Sequence, residues 1–425
     1  MGLGHFGGGA AVARWLARQG AIVTVTDLAH EHTLAPALAT LQAEPIAAYH
    51  LGGHWEEDFR QAELVVVNPA VRPGDRFLRV AAAAGAARTS EIELFLNACP
   101  ASVIGVTGSN GKSTTAAMTA AILRAEGRRT WLGGNLGASL LEQLEQIDAG
   151  DWVVLELSSF QLAHLNPGAR LPELAVVVNC TPNHLDWHGR FEDYVAAKQR
   201  ILTGQKADAL AVLNTRDAEV SRWGRLVRGR QLALLPPAAI PPLQTPGEHN
   251  RANALCAATA AAGVGCSADA IRRGLGAFSG LPQRLEWFAV LGGRRFYNDS
   301  TATTPESTIA ALETLEGGVW LLAGGSDKGI DLRPLAAAVV RRARGAAFFG
   351  AVRQRLRELA LASRPNFPCV ALETLAEALR WCWQQSGPGE SVVLSPACAS
   401  YDQFQNFRQR GEVFAELVRR LSSGP

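Results

Sequence analysis

The sequence has little cysteine, and what it has follows no pattern. Cys99, Cys180, Cys256, Cys266, Cys369, Cys382 and Cys398 are scattered, odd in number and never in C-x-x-C spacing. That argues against a disulfide framework or a zinc site and for reduced, mostly buried thiols, as in a cytosolic protein. Net charge is small, at +2, and no run of Lys or Arg stands out. A nucleic-acid partner therefore has little support. No apolar stretch reaches the roughly 18 residues that a membrane helix needs. The N-terminus also lacks the ordered basic and apolar regions of a signal peptide. No membrane partner is expected, and the expected location is cytoplasmic.

What is present is a well-patterned α/β chain. Hydrophobic residues make up 48% and charged residues 19% of 425 positions. That length suits two to four domains of roughly 100–200 residues each. Up to about residue 95, strand-like runs ("AIVTVTD", "ELVVVNPA") alternate with Ala-rich helical runs, as in a parallel sheet. "ASVIGVTGSNGKSTTAAMTAAILRAEG" then starts a second unit of strand, glycine loop and helix. The Pro-rich "LLPPAAIPPLQTPGEHN" interrupts it before a further helix, and a third unit follows "FSGLPQRLEWF". The expected division is 1–95, 96–280 and 281–425.

The chain opens on a puzzle. Gly2, Gly4 and Gly7 stand in G-x-G-x-x-G order, and "IVTVTD" ends in Asp27. Such a turn normally lies between a strand and a helix. Here the first strand is absent, or reduced to Met1. The expectation is a reading frame that extends upstream by about five to eight apolar residues.

A second glycine loop carries the clearest chemistry. In "GVTGSNGKSTT" the working pattern is T-G-x-x-G-K-S, because the position at which G-x-x-x-x-G-K-[ST] needs glycine is Val106. Gly108, Ser109, Asn110 and Gly111 can turn their backbone around a phosphate, and the following helix presents its positive N-terminus. Lys112 can reach the β/γ-phosphates, the Ser113 hydroxyl can ligate Mg²⁺, and Thr114 follows in the same turn. Further on, "LELSSFQL" places Glu156 at the end of a buried strand. There a carboxylate is costly unless it is paired or metal-bound. "NCTPNHLDWHG" places His184 and Asp186 at the end of the next strand, and "YVAAKQRIL" places Lys198 on a helix. Singly, these read as a surface Glu, a core His and a solvated Lys.

Together and in this order, they resemble the Mur ligases and their relative folylpolyglutamate synthase. Those enzymes join an amino acid to a carboxylate through an acyl phosphate. The resemblance covers the whole chain. It implies a Rossmann-like N-terminal domain, a central P-loop-type ATPase domain and a C-terminal Rossmann-like domain, with ATP and two Mg²⁺ ions. Ser113 and Glu156 would serve the first ion, and Glu156, His184 and Lys198 the second. A Lys ammonium has no lone pair for a cation. In this family the lysine is carbamylated, which makes it an anionic oxygen ligand. Lys112, His184 and Lys198 would thus be the catalytic set. "HNRANA" supplies Asn250 and Asn253, and "GLPQRLE" supplies Arg284. In similar ligases these hold the nucleotide as the domains close, and Asp299 in "YNDSTATTPEST" meets the ATP ribose. Thr303, Lys328, Ser400 and Phe407 match the positions that surround glutamate in the glutamate-adding branch. Asp27 and Asn68 would line the uridine site, and Asn135 in "GGNLG" would touch the substrate's diphosphate or sugar. The implied partners are UDP-MurNAc-L-Ala, glutamate and ATP, acting on a monomer.

Two departures from the family pattern matter beside the missing first strand. The family commonly has Asp-Ser-Lys-Ala-Thr where this chain has "DSTAT", so Thr301 removes a positive charge near the reacting centre. The stretch "RDAEVSRWGRLVRGRQLALLPPAAIPPLQTP" is short and Pro-rich, which predicts a trimmed central domain. Alternatives from other classes fit less of the chain. A nicotinamide dehydrogenase would use Gly2–Gly7 but leaves the second glycine loop unexplained. A non-catalytic UDP-sugar binder would need broken chemistry, yet Lys112, Glu156, His184 and Lys198 are all present. A ligase adding L-glutamate or another amino acid to a UDP-muramoyl or folate-type carboxylate stays open. The folate enzymes, however, lack the N-terminal UDP-type domain.

Overall fold

The computed structural model describes residues 1–421 except 5, 6, 138, 246, 328 and 330. Its backbone forms two compact units. The first spans Met1–Leu243 and Arg251–Phe278; the second spans Gln244–Asn250 and Ser279–Pro425.

In the first unit the chain begins with β1 (Val23–Asp27), β2 (Ile46–Leu51), β3 (Leu64–Val66) and β4 (Ala87–Thr89). β1 pairs with β2 and β3 with β4, both in parallel. Met1 and Gly2 stand between the two pairs. The Met1 ammonium donates to the Val66 carbonyl at 3.0 Å, and Gly2 N–H donates to the Thr26 carbonyl at 2.8 Å. Asn68 N–H then donates to the Met1 carbonyl at 3.0 Å. Two residues thus occupy the place at which a Rossmann fold has its central strand.

The same unit continues with β5 (Ser102–Thr107), β6 (Thr130–Gly134), β7 (Trp152–Glu156), β8 (Leu174–Val177), β9 (Leu210–Leu213) and β10 (Arg230–Leu232). These form one parallel sheet in the order β10-β9-β8-β5-β7-β6. Both faces are covered, so the inner strands are apolar throughout, as in "WVVLE" and "LAVV". Alternate side chains still go to opposite faces. Val103, Val153, Leu155 and Val177 join one core, while Ile104, Val106, Val154 and Val176 join the other. At the sheet's far edge β10 has three residues and is flanked by 3₁₀ turns at Val220–Leu226 and Pro237–Ala239.

The order of the central sheet decides where a ligand can sit. From β5 the chain runs out to β6 and returns to β7 on one side of β5, then crosses to β8 on the other. The carboxyl ends of β5, β7 and β8 therefore surround a topological switch point, where open α/β sheets bind ligands.

The second unit contains β11 (Glu286–Leu291), β12 (Arg294–Asn298), β13 (Val319–Gly324), β14 (Gly345–Phe349), β15 (Cys369–Leu372) and β16 (Ser391–Ala397). Their order is β11-β12-β16-β13-β14-β15, with only the β11–β12 pair antiparallel. Leu321, Phe348 and Val393 face one core and Leu322, Phe349 and Leu394 the other. No helix among the described residues is long and apolar enough to cross a membrane.

Candidate active site

The phosphate-type loop leaves β5 at Thr107 and enters the helix Lys112–Ala125. Gly111 makes that entry in the left-handed region, at φ 77°. A Cβ there would also come within 2.3 Å of Asn253 Oδ1, so glycine is required twice over. The loop is latched from β8. Ser109 N–H and Asn110 N–H both donate to Asn179 Oδ1 at 2.9 Å, and Asn179 Nδ2 donates back to the Asn110 carbonyl at 3.0 Å. These two N–H groups, expected from the sequence to face a phosphate, are engaged by a side chain. The Lys112 ammonium folds onto the Ser109 carbonyl at 3.0 Å.

Ser113, the second residue of that helix, donates its hydroxyl to Glu156 Oε2. Glu156 ends β7 and is buried. Its Oε1 accepts from Asn135 Nδ2 at 2.9 Å. The sequence assigned Asn135 to the sugar nucleotide; the structure sets its amide on Glu156.

Lys198 lies on the helix Phe191–Thr203 and is buried. Its amine donates to the Gly108 carbonyl at 2.7 Å and lies 4.7 Å from the centre of the Tyr194 ring. Burial pushes the amine well below the ordinary lysine range, and the nearby Lys112 charge adds to this. Tyr194, one turn earlier, shares a hydrogen bond of 2.8 Å with Ser109 Oγ. Asn179 and Tyr194 thus shape the loop without having been singled out by any motif. The spacing of Tyr194 and Lys198, which puts both on one helix face, was the available signal.

His184 stands exposed just past β8 in the left-handed region, at φ 55°, with its ring edge-on to Phe160 at 4.7 Å. His188, four residues on, lies deeper. Its Nε2 is 2.9 Å from Ser159 Oγ, its ring meets Tyr194 edge-on, and burial lowers its pKa to about 4. The same turn is tied to the segment that follows β3. Arg72 donates to the Asp186 carbonyl at 2.5 Å and Trp187 Nε1 to the Ala70 carbonyl at 2.9 Å.

The Ser113 hydroxyl and the Glu156 carboxylate put two oxygens side by side at the end of the phosphate loop, which suits Mg²⁺. No group of three His, Cys, Asp or Glu that could hold a metal ion occurs among the described residues. A second ion would need the oxygen ligand that an unmodified Lys198 does not offer.

In the N-terminal part, Asp27 ends β1 and accepts from Gly4 N–H at 3.0 Å and from Ala29 N–H at 2.8 Å. Asn68 spans the glycine turn. It donates to the Gly2 carbonyl at 3.1 Å and accepts from Ala70 N–H at 2.9 Å. Asn250 and Asn253 lie on the helix Glu248–Gly263.

In the second unit, Asp299 follows β12 and is buried. Ser395 Oγ donates to its Oδ2 at 2.7 Å and Leu285 N–H to its Oδ1 at 3.0 Å. Burial raises the carboxyl to a pKa of about 7. Ser300 Oγ donates to the Phe407 carbonyl at 2.7 Å, where the helix Phe407–Leu421 begins. Arg410 on that helix is fully buried and donates to the Ser300 and Cys398 carbonyls at 2.9 and 3.0 Å. Ser400 is buried nearby in sequence, and Thr303 is half-buried before the helix Pro305–Thr314. Lys328 lies outside the described residues.

Three family models match the chain: a Mur ligase MurD-like N-terminal domain at 1–89, a Mur ligase middle domain at 106–234 and a Mur ligase glutamate ligase domain at 283–398. Curated relatives named UDP-N-acetylmuramoylalanine–D-glutamate ligase align over nearly the full length. The one from Roseiflexus sp. (strain RS-1) is 38% identical, covering 99% of this chain and 98% of its own. That from Symbiobacterium thermophilum is 36% identical, covering 97% and 96%. Among solved structures, the UDP-N-acetylmuramate-alanine ligase of Thermotoga maritima shares the fold at a TM-score of 0.64 and 18% identity, covering 99% of this chain and 98% of that one. The pseudomurein peptide ligase type C of Methanothermus fervidus does so at 0.58 and 17%, with 97% of each chain covered. The chain belongs to the Mur ligase family.

Proposed function

We propose that this protein is the ADP-forming ligase that joins D-glutamate to UDP-N-acetylmuramoyl-L-alanine, a cytoplasmic step of peptidoglycan precursor synthesis. The observation that carries the reading is the Ser113–Glu156 pair at the end of the phosphate loop, in a chain 38% identical over nearly its full length to a relative with that name. The alanyl carboxylate attacks the γ-phosphorus of ATP, ADP departs, and an acyl phosphate results. The glutamate amine then attacks the acyl carbon and phosphate leaves. Lys112 neutralises charge on the transferring phosphoryl group, which is where such catalysis acts. Ser113 and Glu156 hold Mg²⁺, which when bound supplies positive charge to the phosphate oxygens. His184 and a carbamylated Lys198 complete a second ion site. The neutral amine favoured by burial of Lys198 is the form that reacts with CO₂.

Asn250, Asn253, Arg284 and Asp299 are assigned to the nucleotide, and Thr303, Lys328, Ser400 and Phe407 to glutamate. Asp27, Asn68 and Asn135 are assigned to the sugar nucleotide. The domain boundaries fall near 95 and 280. The deciding experiment is phosphate release from ATP and Mg²⁺ with UDP-MurNAc-L-Ala and each glutamate enantiomer in turn. Release with D-glutamate alone is expected. Release with L-glutamate alone refutes the stereochemical assignment, and no release with either refutes the reading.

A further inference from the structure

The segment before β11 has a backbone that its residue types disfavour. Gln283 has φ 59° and Leu285 has φ 45°, so two side-chain-bearing residues flank Arg284 in the left-handed region. Such conformations persist only where the surroundings over-determine them. Gln283 is held at three groups. Its N–H donates to Glu286 Oε2 at 2.7 Å, and its Nε2 donates to the Arg408 carbonyl at 3.0 Å. Its carbonyl accepts twice from one residue, from Thr301 N–H at 3.2 Å and Thr301 Oγ1 at 2.9 Å. Its amide also fills the space over Gly411, where a Cβ would come within 2.3 Å of Cδ. Leu285 N–H is fixed by Asp299 Oδ1. Arg284 closes the turn, its N–H reaching the Leu281 carbonyl at 3.2 Å.

We propose that Thr301 is a positioning residue for the nucleotide: its hydroxyl clamps the Gln283 carbonyl and so holds the strained turn that carries Arg284. The proposal rests on the reading that Arg284 contacts ATP. The peptide plane between Gln283 and Arg284 is held at its N–H by Leu281 and at its carbonyl by both donors of Thr301; without the hydroxyl the carbonyl keeps only the longer bond from Thr301 N–H, at 3.2 Å. A hydroxyl on Cβ has the reach for this, and a valine of the same shape does not supply the donor.

The test uses the full chain with T301V, T301S, R284A and the double variant R284A/T301V, each assayed for KM of ATP and of glutamate. T301V is expected to raise the ATP KM about fivefold, the effect of one lost hydrogen bond. The glutamate KM and kcat should stay within about twofold, and T301S should stay near wild type. In the R284A background, T301V should add nothing, because the two act through one contact. A purely structural role would lower the melting temperature without separating the two KM values. An unchanged ATP KM in T301V beside a raised one in R284A overturns the clamp and leaves the nucleotide assignment standing. An equal effect of T301V with and without Arg284 also overturns the clamp. An unchanged ATP KM in R284A removes both the assignment and the clamp.

Discussion

Replacing Asp299 with Asn should remove a pH dependence that this buried carboxyl imposes on the second unit. Burial is the largest influence on Asp299 and lifts its pKa from 3.8 to about 7. The bonds from Ser395 and Leu285, and the charges of Arg284 and Arg410, pull the other way without offsetting it. Between these two values the folded state keeps a proton that the unfolded state has lost. Stability therefore falls as pH rises through that window and levels off above about pH 7. At about 1.4 kcal/mol for each pH decade, the cost is on the order of 1.5 kcal/mol at pH 5 and 4 kcal/mol at pH 8. Asparagine has the same shape. Its carbonyl can accept from Leu285 N–H and its amide can donate to Ser395 Oγ, which already has Thr308 Oγ1 at 3.0 Å. The advantage of D299N over wild type should thus grow by about 2–3 kcal/mol between pH 5 and pH 8.

For a unit of this size that is a gap of roughly 5–10 °C in melting temperature. Trp287, Trp320, Trp381 and Trp383 all lie in the second unit and report its unfolding by fluorescence. Comparing the two proteins at each pH cancels the titration of every other group. Parallel melting curves from pH 5 to pH 8, or a variant less stable at pH 8, would refute the reasoning.

Three further outcomes are expected. G111A should raise the ATP KM at least tenfold and lower the melting temperature, since a left-handed alanine costs about 1–2 kcal/mol and its Cβ meets Asn253; kinetics and melting like wild type would count against it. K198A should lose most activity and recover part of it with a short carboxylic acid; full activity in bicarbonate-free buffer would remove Lys198 from the ion site. K328A should raise the glutamate KM about 10- to 150-fold, the loss of a charge-assisted hydrogen bond of roughly 1.5–3 kcal/mol, with the ATP KM nearly unchanged. An unaltered glutamate KM would end that assignment.

The parts of the site that could be read from the sequence are those where chemistry constrains a short string. T-G-x-x-G-K-S needs its glycines for backbone reasons and its lysine and serine for phosphate and metal, so five local positions suffice. Glu156 was legible because a carboxylate ending an apolar strand demands a partner. The partner's identity was not, because β7 lies beside β5 only through the crossover past β6. Asn179 was invisible for the same reason, acting on a loop about 70 positions away; Tyr194 acts across 85 positions and was legible only through its helical spacing from Lys198. Gln283 and Leu285 illustrate the opposite limit. Local preference argues against the conformations they adopt, so only the tertiary hydrogen bonds around them could reveal the turn. The opening glycine fingerprint was legible, with no strand-length run before it in this sequence. That Met1 and Gly2 bond to both neighbours was not.

Residue choice across the whole chain supports the same site from a direction that no motif supplies. Of the 41 lysines and arginines, only four are lysines: Lys112, Lys198, Lys206 and Lys328. Wherever a cation need only be solvated or paired, the chain uses arginine. Lys206, which is exposed, is the exception. The other three are the lysines assigned to ATP, to the second ion and to glutamate. A guanidinium cannot replace an amine in two of the tasks proposed for them. It stays charged when buried, so it cannot become the neutral nucleophile that Lys198 must be. It is also a planar fork, whereas Lys112 sets a compact charge 3.0 Å from the Ser109 carbonyl. Lys112 and Lys198 thus stand where the proposed chemistry calls for an amine, in a chain that elsewhere uses arginine almost throughout.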